Sequence, residues 1–244
     1  MKLLFVLLFF AGSLNIASSR AIDLQGIQSS IDMAFQQSFV AKNTTKLSDI
    51  AGQLKQDGSS LATYWYAYAM YMESLFYLQS GDQAQSEKSV SEGVKALAQL
   101  PEKNSEDYAL LALMQTFSMQ FMQEDYMKVL AAFEEVHANI QKSMNADANN
   151  LRAYLVDATI NFYTPEPYGD AQKAEEDLLK CIALNAQQVE DVTLPSWGKA
   201  RAYSMLVSLY TQQGKQEMAK RYLDEALKSY PDNDELTALA TQIH

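Results

Sequence analysis

Few side chains in this chain could carry out a reaction, and their types and spacing limit what that reaction could be. Cys181 is the single cysteine. A thiol becomes a nucleophile where a base or a cation lowers its pKa, whereas a buried thiol with no such neighbour is an inert small apolar group. The two histidines are His137 and His244, the latter being the last residue of the sequence. One internal and one terminal imidazole are a poor start for a zinc site or a Ser-His-Asp arrangement, so His137 is read as a surface or groove residue. The sequence has no H-E-x-x-H, no G-x-S-x-G and no Gly-rich phosphate loop. Carboxylates are plentiful in Glu134-Glu135, Glu175-Glu176-Asp177 and Asp232-x-Asp234-Glu235. Paired acids can hydrolyse glycosides, but neighbours in a helix point in different directions, so these runs are expected to be solvated faces. Asp232 to Glu235 lacks the glycine and the terminal glutamate of a calcium loop and is read as a helix cap. No catalytic residue, metal ligand or cofactor is assigned.

Aromatic residues offer binding chemistry instead. Tyr64, Trp65, Tyr66, Tyr68, Tyr71, Phe76 and Tyr77 fall on more than one side of a single helical stretch. One side must pack against neighbouring helices, and the remainder could line a groove, where Tyr and Trp bury area while keeping a polar handle. The candidate binding residues are Tyr64, Trp65, Tyr68 and Tyr71, together with Tyr168 and Trp197. Met114, Met119, Met122 and Met127 form a second series, read as adaptable core or as a contact patch.

These residues must be positioned by helices. The chain has nine glycines and five prolines, and no alternating β-branched runs. In Ala200 to Pro231, Tyr203, Leu206, Val207 and Tyr210 share one helical face, Gly214 breaks the helix, and Ala219, Leu223 and Ala226 form the matching face of a second. Gly214 has counterparts at Gly169, Glu124 and Gly81, spaced by 45, 45 and 43 residues. Five residues after each stand Ser86, Val129, Ala174 and Ala219; nine after, Val90, Phe133, Leu178 and Leu223; twelve after, Gly93, Val136, Cys181 and Ala226. All twelve are small or apolar, and these offsets lie on one stripe of a helix. Helical pairs are therefore predicted over 60–79 with 83–99, 105–123 with 126–145, 149–162 with 170–186, and 197–213 with 215–229. Asp232 to His244 is predicted to form a closing helix. Residues 22–57 are predicted to form capping helices whose apolar stripes are Ile27, Ile31, Ala34 and Phe35, then Leu47, Ile50, Ala51 and Leu54. Residues 58–244 form the repeat domain.

The unit at 200–231 resembles the tetratricopeptide repeat, with Val207 and Leu223 at positions where that pattern has Gly and Phe. Three further stretches resemble one family of exported bacterial tetratricopeptide proteins: Tyr64-Trp65-Tyr66-Ala67-Tyr68-Ala69; Asn161 to Asp170 with Lys173-Ala174; and Pro195-Ser196-Trp197-Gly198. Relatives tend to carry a second glycine where this chain has Asp170. The resemblance implies an all-α, right-handed stack of about four helix pairs with extra helices at both ends, in a non-catalytic protein whose first helices line a concave groove. Thr164-Pro165-Glu166-Pro167-Tyr168 is then a recognition element or a rigid connector between paired helices.

Lys2, the apolar run Leu3 to Ala11 and Ala17-Ser18-Ser19 fit a signal peptide over residues 1–19, too short to span a bilayer, and so a periplasmic or secreted protein. Without Lys2, 18 basic residues face 30 acidic ones, a net charge of −12. That balance disfavours nucleic acid and anionic membranes and suits a basic protein or peptide segment. The expected function is a scaffold for protein–protein interaction. The alternative is a small-molecule carrier or transporter accessory, which would need an enclosed pocket.

Overall fold

The computed structural model describes residues 22–122, 125–165 and 169–243. The segment read as a signal peptide, Tyr168, Glu124 and His244 lie outside them. Eleven α-helices are described: α1 Ile27–Ala41, α2 Thr45–Asp57, α3 Ser60–Gln79, α4 Gln83–Ala98, α5 Ser105–Ser118, α6 Tyr126–Ala146, α7 Leu151–Tyr163, α8 Ala171–Ala183, α9 Lys199–Gln212, α10 Gln216–Ser229 and α11 Asp234–Ile243. There are also short 3₁₀ turns at Met119–Met122 and Gln187–Val189.

Local chemistry sets the helix starts. Ser59, Asp82, Asp125, Asn150 and Asp170 each accept a hydrogen bond from a backbone N–H of the first turn that follows. Asn104 and Asp107 form a reciprocal capping box at α5. Asn233 caps α11 by accepting from the Leu236 N–H. Gly81 and Gly214 have φ of 83° and 71° at the turns inside the first and last pairs, a conformation that costs glycine nothing. Gly169 is required for a different reason, since a Cβ there would stand 1.9 Å from the Thr164 carbonyl oxygen. Asp170, where relatives tend to have glycine, caps α8 through the N–H groups of Gln172 and Lys173.

The helices pack as the pairs α3/α4, α5/α6, α7/α8 and α9/α10, with α2 and α1 against α3 and α11 against the last pair. The architecture is an all-α helical-repeat solenoid. One core is built from α1 to α5, a second from α7 to α11, and a small third, with Ala112, Val136, Ile140, Val156 and Ile160, lies between them. Ten of the twelve repeat positions are buried, including Gly93, whose added Cβ would lie 2.4 Å from Met114 Cε and 3.2 Å from the Ala67 carbonyl oxygen. The two exceptions are Val129 and Phe133, both in the first half of α6.

Candidate functional site

The connector from α8 to α9 spans residues 184–198, and its second part, 187–198, does not lie outside the stack. It meets α3 at Tyr64, Trp65 and Tyr68, α7 at Arg152, and α1 at Gln28. Gly198 permits this, because its φ is 116° and a Cβ there would meet Leu151 Cδ1 at 2.9 Å. The Trp197 indole N–H donates to the Tyr64 hydroxyl at 2.9 Å, and its ring stacks on Tyr68 with centroids 6.0 Å apart. Trp65 donates its indole N–H to the Thr193 carbonyl at 2.9 Å. Gln28 Oε1 of α1 accepts from both the N–H and the hydroxyl of Ser196, at 2.7 and 3.1 Å. Tyr68 donates to Asp32, which also accepts from Gln28.

A buried ion pair anchors the other side of this connector. Arg152 is 0% exposed and donates to Glu106 through Nε and Nη2, at 2.5 and 2.6 Å. It also donates to the Trp197 carbonyl at 2.8 Å and to Gln187, and its guanidinium lies 5.4 Å from the Trp197 ring centroid. Glu106 sits in the first turn of α5, where the helix dipole favours an anion. Arg152 sits in the first turn of α7, where a cation needs such a partner.

The geometry corrects the reading of the aromatic cluster as groove anchors. Tyr64, Trp65 and Tyr68 are buried, one side of their helix facing its neighbours and the other facing the chain's own connector. Burial pushes the Tyr64 and Tyr68 phenols well above their ordinary range, so both act as neutral hydrogen-bonding groups. Tyr71 and Trp197 are half-buried. Tyr71 packs edge-on to Phe117 at 5.5 Å, and burial pushes its phenol up to about 12. Cys181 is fully buried and its thiol is pushed up to about 12, so it has the protonation of a core residue and not of a nucleophile.

The acidic runs also have structural partners. Asp177 accepts Lys173 at 2.5 Å, and Lys173 also reaches Asp157 at 3.2 Å. Glu175 accepts the Tyr210 hydroxyl at 2.9 Å. Burial raises Asp107 and Asp177 to about 6, and Asp107 is occupied by the capping box. Among the described residues, no group of three or more His, Cys, Asp or Glu side chains could hold a metal, and no helix is long and apolar enough to cross a membrane.

The accessible apolar surface lies elsewhere. No residue in the first half of α6 is buried before Val136. Tyr126 and Met127 are each 69% exposed, and Leu130 is 40% exposed. Between this half-helix and α4 is a cleft of about 230 Å³. Val90, Val94, Phe121, Met122 and Ala132 give it apolar walls, and Gln115 lies at its edge, held by the Asn139 amide at 2.8 Å. Glu87 of α4 and Glu135 of α6 line it from the two helices, and among the described residues no lysine or arginine lines it. The methionine series thus divides: Met114 is core, Met122 lines the cleft, and Met127 is exposed on α6. Sequence reasoning missed the cleft, because its lining comes from α4, α5, the Met119–Met122 turn and α6, which no single helical period relates.

Comparison with known proteins bears on the last pair first. Residues 200–233 match the tetratricopeptide repeat family. The fold is of the tetratricopeptide type. The tetratricopeptide stack extends beyond that unit, since a thermophilic TPR protein from Thermus thermophilus superposes with a TM-score of 0.58 at 16% identity, over 89% of this chain and 98% of that one. The HusA haemophore from Porphyromonas gingivalis superposes with a TM-score of 0.53 at 18% identity, over 77% of this chain and 96% of that one. No curated protein matches the sequence. At these identities the tetratricopeptide likeness concerns the fold.

Proposed function

We propose that this protein is an exported, non-catalytic scaffold that holds a basic, partly apolar segment of another protein at the α4–α6 surface. The observation that carries this reading is the cleft itself: apolar walls from Val90, Val94, Phe121, Met122 and Ala132, with a carboxylate from each of the two helices. A volume of about 230 Å³ seats one or two side chains of a segment lying across it, and is smaller than the roughly 300–1,000 Å³ of ordinary small-molecule pockets. Methionine-rich surfaces adapt to partners, and facing carboxylates select cationic ones. The inner-face aromatics contribute by fixing the scaffold's shape. Export rests on the Lys2, Leu3 to Ala11 and Ala17-Ser18-Ser19 pattern, and Edman sequencing of the native protein should begin near Arg20.

The reading is tested by charge reversal. Glu87→Lys with Glu135→Lys should abolish capture of basic partners from the exported fraction of the native cells. Glu217→Lys with Asp224→Lys on α10 changes net charge by the same amount and should leave capture intact. Equal loss in both pairs would reduce the interaction to net charge and contradict a built site.

The likeness to a haemophore raises small-molecule carriage as a second reading. Haem needs an axial ligand beside an apolar slot. His137, half-buried and edge-on to Phe133 at 4.4 Å, is the histidine available among the described residues. Titration with haemin separates the two readings: a saturable shift of the Soret band that is lost in His137→Ala would favour carriage.

A further inference from the structure

We infer that the outer face of α1 is a self-association surface at which two copies of this chain meet around a twofold axis. The inner stripe of α1, Ile27, Ile31, Ala34 and Ser38, is buried against α2 and α3. The opposite stripe is Ser29, Met33, Gln36 and Val40, spaced by four, three and four residues and therefore in line on the helix. Met33 is 52% and Val40 87% exposed. Beside Val40 is a shallow hollow walled by Ala34, Gln37, Ala41 and Thr45.

Three features specify a second copy. The first is charge. The chain carries −11, so two copies repel over most of their surfaces, yet α1 has a single ionisable residue, Asp32, which is turned to Tyr68 and Gln28. Lys46, at the rim of the hollow, donates to Gln37 at 2.7 Å. The stripe is thus a place where two copies can touch without opposing like charges.

The second feature is symmetry. An isologous contact pairs residue i of one copy with residue j of the other, and j with i, so that only residues on the axis meet their own counterparts. Antiparallel pairing centred near Gln36 sets Met33 of each copy against Val40 of the other and brings the two Gln36 amides together, and such amides can both donate and accept. The stripe can therefore pair with itself without an unmatched charge.

The third is the contrast with the other end of the stack. Terminal helices of a repeat array need a polar outer face. The last helix exposes Asp234, Glu235, Thr237 and Thr241, whereas the outer stripe of α1 alternates Ser29 and Gln36 with the exposed apolar Met33 and Val40. One helix face forms a small interface, so the dimer should be weak and concentration-dependent.

Sedimentation velocity on the whole protein from about 5 to about 500 µM tests the inference. The weight-average mass should rise toward the dimer. Val40→Lys and Met33→Glu should each weaken association roughly tenfold or more while leaving the melting temperature unchanged, because both sites are exposed. Mixing the two variants should restore association, since the carboxylate introduced in one copy then faces the ammonium introduced in the other. A monomer throughout the range would overturn the proposal, as would a dimer indifferent to both substitutions or a mixture that stays monomeric. Flotation with vesicles of phosphatidylcholine and phosphatidylglycerol that is lost in Val40→Lys, from a protein that stays monomeric, would assign the face to lipid and equally overturn it. The result is independent of peptide capture at the α4–α6 cleft.

Discussion

Arg152→Met should destabilise the protein by about 3–5 kcal/mol, because it leaves the Glu106 carboxylate buried without its partner. The substitution also removes the donors to the Trp197 carbonyl and to Gln187, so the connector loses its attachment to α7 in the same step. For a domain of this size the melting temperature should fall by about 6–20 °C. Arg152→Met combined with Glu106→Leu should recover a large part of that loss, since replacing both partners of a buried pair costs far less than orphaning one. Calorimetry of the two single variants and the double variant measures the coupling. A loss below about 1 kcal/mol in Arg152→Met would mean that the pair is hydrated, contrary to its burial.

Trp197→Ala is expected to have a comparable effect, about 3–5 kcal/mol for deletion of a large packed aromatic side chain. Its consequence should spread further. Trp197 packs against both large cores, stacks on Tyr68 and donates to Tyr64. Amide exchange should therefore quicken at both ends of the stack, in α1 and α3 as well as in α7 and α9, and proteases should cut within residues 187–198. Acceleration confined to the last pair would show that the connector does not join the two cores.

The distances over which these contacts form explain what could be read in the sequence. The hairpins were legible because their determinants are local: a glycine or cap at the turn, and small residues five, nine and twelve positions on. Each predicted pair has its two helices in the structure, and Cys181 occupies the slot that Gly93, Val136 and Ala226 occupy in the other pairs. The role of Tyr64 and Trp65 was not legible in the same way. Their hydrogen-bond partners, Trp197 and Thr193, lie 133 and 128 residues away, and no helical period relates them. Both the aromatic run and the Pro195-Ser196-Trp197-Gly198 element were visible, but the fact that one covers the other is tertiary information. Arg152 gave no sign of being buried, because nothing near it in sequence announces Glu106. Val129 and Phe133 show the opposite effect: they obey the repeat's pattern while the fold leaves them partly uncovered.

Residues 187–198 cover the aromatic cluster of α3, and the proposed docking site is the cleft between α4 and α6. Hydrogen exchange read by mass spectrometry tests both together, with an amphipathic peptide of alternating leucine and lysine turns as the probe. At saturation, residues 87–94 and 115–135 should gain protection, while 64–68 and 187–198 stay unchanged. Protection gained at 64–68 with altered exchange at 187–198 would mean that the connector gives way and the ligand binds the aromatic cluster of α3, contrary to docking at the cleft.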